Sequence, residues 1–240
     1  MYEYIERLDT GDNNAVLWKY MDLSKFFYLI TKSMLYFARL DQFEDIFEAE
    51  VPYANINNIP SYVDLERQKN SYKKLSNFIR VVTYITCFHI SSFESAAMWK
   101  LYSKDMGIAI QTNTGRLIEA LKNEPQKIFI GKVKYIDEYK NNIERIDNFG
   151  LSYIKRRSFM YEQELRCSIV RSDDLTSYDF LYYKFSKPKG YNAIVDLEKL
   201  IEKIYISPYA PDYILEVVQD ILKKFNYNLP VIKSNLFSLN

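Results

Sequence analysis

The sequence has few of the residues on which compact functional sites are commonly built. It contains one histidine, His89, and two cysteines, Cys87 and Cys167, so it can form neither a histidine-rich metal site nor a disulfide framework. Its 240 residues include only 6 glycines and 7 prolines, and no glycine-rich phosphate-binding loop is present. The G-x-S-x-G and H-E-x-x-H patterns are absent as well. The enzyme classes that depend on these motifs are therefore excluded.

Neither charge nor hydropathy indicates a membrane or nucleic-acid surface. The 32 Lys and Arg residues balance the 31 Asp and Glu residues, so bulk charge does not attract the chain to polyanions. No apolar run reaches the length of about 18 residues that a membrane span requires. The N-terminal residues lack the basic-then-apolar pattern of a signal peptide. These features predict a cytoplasmic protein with no membrane partner.

Aromatic residues are the unusual part of the composition, with 22 Tyr and 15 Phe. Two explanations are open: the rings line a pocket for a planar ligand, or they reflect an AT-rich genome. Trp99 and Tyr102 are spaced i, i+3, which places them on one face of a predicted helix. That face belongs either to the core or to an aromatic wall against a flat ring.

Strand and helix patterns are interspersed along the chain without regular alternation. This order predicts an α+β fold, with residues 1–240 forming one domain around a mixed, mainly antiparallel sheet flanked by helices. Strands are predicted at 16–21, 34–38, 81–90, 107–112, 127–136, 162–170, 180–185, 193–195, 203–206 and 231–233. Helices are predicted at 23–33, 61–80, 114–123 and 211–225, and 137–157 is predicted to be mostly helical with a break near Gly150. A further helix follows a capping box formed by Ser91 and Glu94.

Residues 159–170, FMYEQELRCSIV, are the sharpest candidate for chemistry. On an extended chain, Glu162, Glu164 and Arg166 share one face, opposite an apolar face made of Leu165, Cys167 and Ile169. Arg166 would keep Glu164 ionised by lowering its pKa. Such a carboxylate can hold a ribose hydroxyl and stabilise positive charge on a sugar carbon, while its neighbour takes a proton from an acceptor. The alternative is a solvated strand edge with a Glu–Arg ion pair.

Two other places in the sequence carry candidate site residues. The acidic segment 41–50 offers carboxylates that could hold Mg²⁺, Asp45 and Glu48 among them, or it forms a solvated loop. His89 ends a predicted strand, where it is either a packed side chain or a site residue. No ligand spacing predicts a metal centre at either place.

The order of several segments resembles a large bacterial family known only as a domain of unknown function. These segments are L-Y-F-A-R-L-D-Q-F-E-D-I-F-E, C-F-H-I-S-S-F-E-S-A-A-M-W-K-L-Y and E-Q-E-L-R. That family commonly shows N-D-P-F-E, C-F-S…M-W…Y-A and E-x-E-x-R. Here Asp45, Phe47 and Glu48 keep their places, but the Asn and Pro do not, and His89 stands where a small hydroxyl residue is usual.

The chain also resembles the ADP-ribosyltransferase fold in the order of its polar and aromatic residues. The resemblance implies an NAD site in which Glu164 holds the nicotinamide ribose and Glu162 positions the acceptor. The resemblance to this fold and the family segments together imply a set of ligand-binding residues: Lys19, Tyr20, Tyr36, Arg39, Asp45, Glu48, His89, Ser91, Trp99, Tyr102 and Arg166. The predicted first strand contains no Arg or His, which is a departure from the ADP-ribosyltransferase pattern.

Three functional hypotheses follow. The first is an NAD-using glycosyl-transfer enzyme, an ADP-ribosyltransferase or NAD glycohydrolase acting as a bacterial toxin or phage-defence effector, with a protein or nucleic-acid acceptor. The second is a non-catalytic module that binds a nucleotide or other small molecule, or a protein, through Trp99, Tyr102 and the basic run 155–157. The third is a metal-dependent nuclease built on Asp45, Glu48, Glu162 and Glu164.

Overall fold

Helices and strands mix along the chain as the sequence predicts. A computed structural model describes residues 2–6, 8–103, 106–171 and 187–238. The helices are α1 (Leu23–Lys32), α2 (Tyr53–Asn57), α3 (Leu65–Val82), α4 (Ala96–Tyr102), α5 (Thr114–Ala120), α6 (Asn148–Ser152), α7 (Leu197–Leu200) and α8 (Tyr213–Lys224). The strands are β1 (Val16–Asp22), β2 (Met34–Arg39), β3 (Thr83–Ile90), β4 (Gly107–Asn113), β5 (Phe129–Lys132), β6 (Lys134–Ile136), β7 (Ile154–Arg156), β8 (Glu164–Val170), β9 (Gly190–Ile194), β10 (Lys203–Ile206) and β11 (Val231–Lys233). Leu40–Gln42 and Arg157–Glu162 form 3₁₀ turns.

The main sheet is organised around β3. One edge of β3 pairs with β8 from Thr83 to His89, and β5 continues the sheet beyond β8. Its other edge pairs with two strands in turn, β2 near Tyr84 and β1 near His89. Beyond β2 the sheet continues with β9, and beyond β1 it continues with β4, β10 and β11. All these pairings are antiparallel except β10 with β11, which confirms the predicted α+β class with a mainly antiparallel sheet.

The two faces of the sheet pack into separate cores. The strand pleat sends Tyr84 and Phe88 into the larger core and Ile85 into the smaller one. Leu165, Cys167 and Ile169 of β8 all lie in the larger core, so the predicted apolar face of that segment is confirmed. The opposite face of β8, which carries Glu164 and Arg166, is covered rather than open to solvent. Polar side chains there must find partners inside the protein.

Helix caps agree with the sequence at α1 and differ at α3 and α4. The Asp22 carboxylate accepts from the Lys25 N–H, as predicted for an N-cap. The α3 cap is Asp64 rather than Ser61, and the helix continues through Val82 before β3 begins. The predicted capping box of Ser91 and Glu94 is wrong: Ser95 caps α4, accepting from the Met98 N–H at 3.3 Å. Ser91 instead closes a short turn with the backbone of Phe93.

The predicted long helix over 137–157 is mostly wrong. Only α6 is helical there, and β7 pairs in parallel with β6 to form a second, two-stranded sheet. Asn141 accepts from the Asp137 N–H and Asp137 accepts from the Tyr139 N–H, so these side chains close a local turn at the start of the segment. The predicted strand 127–136 is accordingly divided between the two sheets, as β5 and β6.

Two further differences concern the segment around β8. The strand begins at Glu164, because residues up to Glu162 form a 3₁₀ turn. The strand predicted at 180–185 lies outside the described residues. Among the helices that are described, none combines the length and apolar character needed to cross a bilayer.

Candidate active site

The two carboxylates of the E-x-E segment are buried. Glu162 is 5% exposed and Glu164 is 4% exposed. A solvated strand edge is therefore the wrong interpretation of this segment. Buried carboxylates require charged or hydrogen-bonding partners, and both have them.

Lys155 joins the two carboxylates. Its Nζ lies 2.5 Å from Glu162 Oε2 and 2.7 Å from Glu164 Oε1. Gln163, between the two glutamates, has a left-handed backbone with φ of 40°, an uncommon conformation for a residue other than glycine. The chain turns there from the 3₁₀ turn into β8, and both carboxylates meet one ammonium. The site therefore differs from a simple extended strand, in which the two would stand about 7 Å apart.

Arg166 and Glu48 form the second half of the cluster. The Arg166 guanidinium is fully buried and donates to both Glu48 oxygens, at 3.1 and 3.2 Å. It also donates to Glu164 Oε2 at 2.9 Å, so both oxygens of Glu164 are engaged by cations. Three carboxylates thus face two cations, Lys155 and Arg166, in a closed buried network. We refer to these five residues as the carboxylate cluster.

Tyr102 and His89 also contact Glu162. The Tyr102 hydroxyl donates to Glu162 Oε1 at 3.0 Å, and the residue is 43% exposed. His89 is buried, with Nδ1 at 2.7 Å from the Glu162 carbonyl oxygen, so its ring holds the backbone of the turn. Because Tyr102 touches both solvent and Glu162, it marks the exposed end of the cluster.

The environment separates the proton affinities of the two carboxylates. Burial raises the pKa of Glu162 to about 7, against a partial compensation by Lys155. Burial also acts to raise the pKa of Glu164, but the Arg166 guanidinium, the contact with Glu162 and the Lys155 ammonium together outweigh it and hold that pKa well below the ordinary value. Burial raises the pKa of Tyr102 too, so its hydroxyl stays a donor. The site therefore offers one permanently ionised carboxylate beside one that exchanges a proton near neutral pH.

The raised pKa of Glu162 makes stability depend on pH between about 4.5 and about 7. In this window the folded protein retains a proton that the unfolded chain releases, so the free energy of unfolding falls as the pH rises. Glu162→Gln should flatten this part of the curve, measured as the urea midpoint across the window. Because the pKa of Glu164 is lowered from 4.5, its titration changes the free energy of unfolding only below pH 4.5 and does not contribute in this pH window. Equal slopes for the parent and the variant would contradict the prediction.

Several residues predicted as ligand-binding lie elsewhere. Lys19 donates to Thr86 Oγ1 at 2.7 Å and to the Cys87 carbonyl oxygen at 3.1 Å, at the gap between β1 and β2, and burial lowers its pKa. Tyr36 is 49% exposed on β2. Arg39 is buried and paired with Asp41 at 2.7 Å. Their roles as NAD-binding residues remain predictions.

The aromatic residues of α4 separate into two roles. Trp99 is completely buried and packs edge-on against Tyr20 at 5.0 Å between ring centroids. It belongs to the core, so the aromatic-wall interpretation is wrong for Trp99. The Tyr20 hydroxyl accepts from the Ser95 N–H at 2.8 Å, which fixes the start of α4. Of the described aromatic residues of α4, Tyr102 is the one that is partly exposed and contacts the carboxylate cluster.

The acidic segment 41–50 is not simply a solvated loop. Glu48 is buried in the cluster, and the Asp45 carboxylate pairs with Arg156 at 2.8 Å. These carboxylates, with Glu162 and Glu164, are occupied by lysine and arginine cations. Within the described ranges no group of three or more His, Cys, Asp or Glu side chains is arranged to hold a metal ion. A nuclease centre on these four carboxylates lacks the geometry it requires.

Sequence reasoning missed the importance of Lys155 and Tyr135. Lys155 was noticed only as part of a basic run, although its proximity to E-x-E was a usable signal. The Tyr135 hydroxyl accepts from the Glu164 N–H at 2.9 Å, which fixes the first residue of β8. Both residues lie on the β6–β7 sheet, whose pairing no local pattern indicated.

Comparisons with known proteins agree with the family resemblance. The profile of a family described as "Protein of unknown function (DUF2971)" matches residues 98–167, a segment that contains Met98-Trp99 and the E-x-E-x-R residues. No curated protein matches the sequence. Among solved structures, "Thermus sp. 2.9 DarT in complex with carba-NAD+" is similar over 93% of this chain and 96% of that chain, with 9% identity and a TM-score of 0.40. A similarity of that size indicates neither the activity nor the ligand of the present protein.

Proposed function

We propose that this protein transfers or hydrolyses ADP-ribose from NAD⁺. The reaction breaks the bond between the ribose C1′ and the nicotinamide nitrogen, and nicotinamide leaves as a neutral molecule. Positive charge develops on the sugar, and an acceptor hydroxyl or water then forms the new bond and gives up its proton. Such a reaction requires a fixed negative charge near the ribose and a base for the acceptor proton.

The observation that carries the proposal is the pair of carboxylates held on one ammonium with opposite pKa shifts. Glu164 remains ionised and is oriented by Lys155 and Arg166, as an electrostatic stabiliser of the sugar cation requires. Glu162, with a pKa of about 7, takes the acceptor proton. Pairs of titratable groups whose environments separate their pKa values are typical of acid–base sites.

Substrate access is proposed to pass Tyr102. This residue is a partly exposed partner of the buried Glu162, with its hydroxyl on Oε1. A substrate hydroxyl that replaces the Tyr102 hydroxyl on Glu162 Oε1 keeps that carboxylate hydrogen-bonded, so the exchange leaves no buried acceptor unsatisfied.

The test is nicotinamide release from NAD⁺ by the purified protein, with and without a bacterial lysate as the source of acceptors. We expect release whose rate rises with pH through about 7, because Glu162 must lose its proton to act as a base. Glu162→Gln should remove this pH-dependent limb. Absence of nicotinamide under every condition would refute the proposed reaction. Labelled products in the lysate would show whether the acceptor is a protein or a nucleic acid.

A further inference from the structure

A pocket lies beside the carboxylate cluster and shares Lys155 with it. It has a volume of about 270 Å³ and is formed by the segment 46–56, by β6 with the residues after it, and by β7. Small-molecule sites usually measure about 300–1,000 Å³, so this pocket suits one ring system with a sugar rather than a whole dinucleotide. Its apolar lining includes Ile46, Phe47, Val51, Ile56, Ile136 and Ile154.

Arg156 presents a fixed cation to this pocket. Asp45 accepts from its Nη2 at 2.8 Å, and the guanidinium lies 4.3 Å above the centre of the Phe47 ring. The side chain remains 29% exposed, and Nη1 makes no hydrogen bond within the described residues. An oriented guanidinium with a free N–H edge is suited to a phosphate oxygen.

Carboxylates and a tyrosine provide the other polar and aromatic groups. Glu138 lines the pocket and has no ion-pair partner in the described part of the chain, while Glu50 pairs with Arg80 at 2.9 Å. Tyr53 lines the pocket and stacks on Tyr139, with ring centroids 4.9 Å apart and planes inclined by 16°. Carboxylates bind ribose hydroxyls in nucleotide sites, and flat apolar walls accept a base.

We propose that this pocket binds a mononucleotide. The base lies among Phe47, Tyr53 and Ile136, the Glu138 carboxylate accepts from the ribose hydroxyls, and Arg156 binds the phosphate. This assignment uses each type of group that the pocket offers. It concerns an equilibrium binding site and does not require turnover of NAD⁺. The same chemistry is present in a free nucleotide and in one half of NAD⁺.

The test is calorimetric titration of the full chain with AMP. Arg156→Met should weaken AMP binding by about 10- to 100-fold, because a charge-assisted hydrogen bond to phosphate is lost. The neighbouring Arg157→Met makes the same change in charge at an exposed position outside the pocket lining, so it should bind as the parent does. Ile56→Trp fills the pocket and should abolish binding.

Melting temperatures of the three variants show whether any loss of binding reflects unfolding. No AMP binding by the parent chain, or equal weakening by Arg156→Met and Arg157→Met, would overturn the proposal. Competition between AMP and NAD⁺ would assign the pocket to the adenosine half of the dinucleotide, and simultaneous binding would assign it to a free nucleotide. AMP binding without nicotinamide release would support the nucleotide pocket and refute the proposed reaction. Nicotinamide release without AMP binding would refute the nucleotide pocket and support the proposed reaction.

Discussion

Replacing Glu164 by glutamine should lower the rate of nicotinamide release by about 10²- to 10³-fold. The substitution keeps the shape of the side chain and removes the negative charge that opposes the developing sugar cation. Lys155 and Arg166 donate to different oxygens of Glu164, so one of them loses its acceptor to the amide NH2 group, while β8 is still held by its pairing with β3 and β5. The measurement is the initial rate at saturating NAD⁺, compared with the melting temperature of the same preparation.

A matched control is available in Glu124. This carboxylate is also buried, at 1% exposure, but it accepts from the Tyr191 hydroxyl at 2.6 Å and the Ile194 N–H at 2.7 Å. Glu124→Gln therefore changes a buried glutamate with a structural role and should leave the rate per folded molecule unchanged. A Glu164→Gln protein as active as the parent would remove Glu164 from the reaction.

Replacing Arg166 by methionine should reduce the free energy of unfolding by about 3–5 kcal/mol. The change leaves Glu48 and Glu164 buried with one cation, Lys155, instead of two. It also removes a donor at 2.6 Å from the Ser152 carbonyl oxygen. Since domains are typically stable by about 5–15 kcal/mol, the loss is a large fraction of the total. Chemical denaturation at a fixed pH measures it.

The double variant Glu48→Gln with Arg166→Met distinguishes lost pairing from lost packing. Removing the Glu48 charge relieves part of the uncompensated burial, so the two changes together should cost less than the sum of their separate effects. Arg157→Met, at an exposed position, should alter stability by no more than about 0.5 kcal/mol. A loss below about 1 kcal/mol for Arg166→Met would contradict a tightly paired cluster.

Local patterns in the sequence determined the class of the fold and the positions of most of its strands along the chain. The apolar alternation of Leu165, Cys167 and Ile169 predicted which face of β8 lies in the core, and the structure confirms it. Asp22 was predicted correctly as a cap because its hydrogen bond joins residues three positions apart. Both signals depend on neighbours in the chain, where side-chain periodicity and capping chemistry are visible.

The candidate site was predicted in part. Glu162, Glu164 and Arg166 were selected from their spacing, and the pairing of Arg166 with Glu164 was predicted correctly, whereas their burial and the contacts with Lys155 and Tyr102 were not visible there. Glu162 was predicted on a strand, but it ends a 3₁₀ turn. The left-handed backbone between the two glutamates could not be predicted, because the residue there is Gln163 and not glycine. The role of Trp99 as core or ligand wall was also open until its complete burial was known.

The distant residues around the two carboxylates are known only from the packed fold. Arg166 meets Glu48 across 118 positions of sequence, and Lys155 reaches Glu162 and Glu164 from β7, whose pairing with β6 has no local signature. Hydrophobic period and residue spacing are local properties, so the fold class and the E-x-E-x-R segment could be predicted from the sequence. Burial and ion pairing between distant segments are not local, so the charge state of the site was decided only when the sheet and the 46–56 segment packed together.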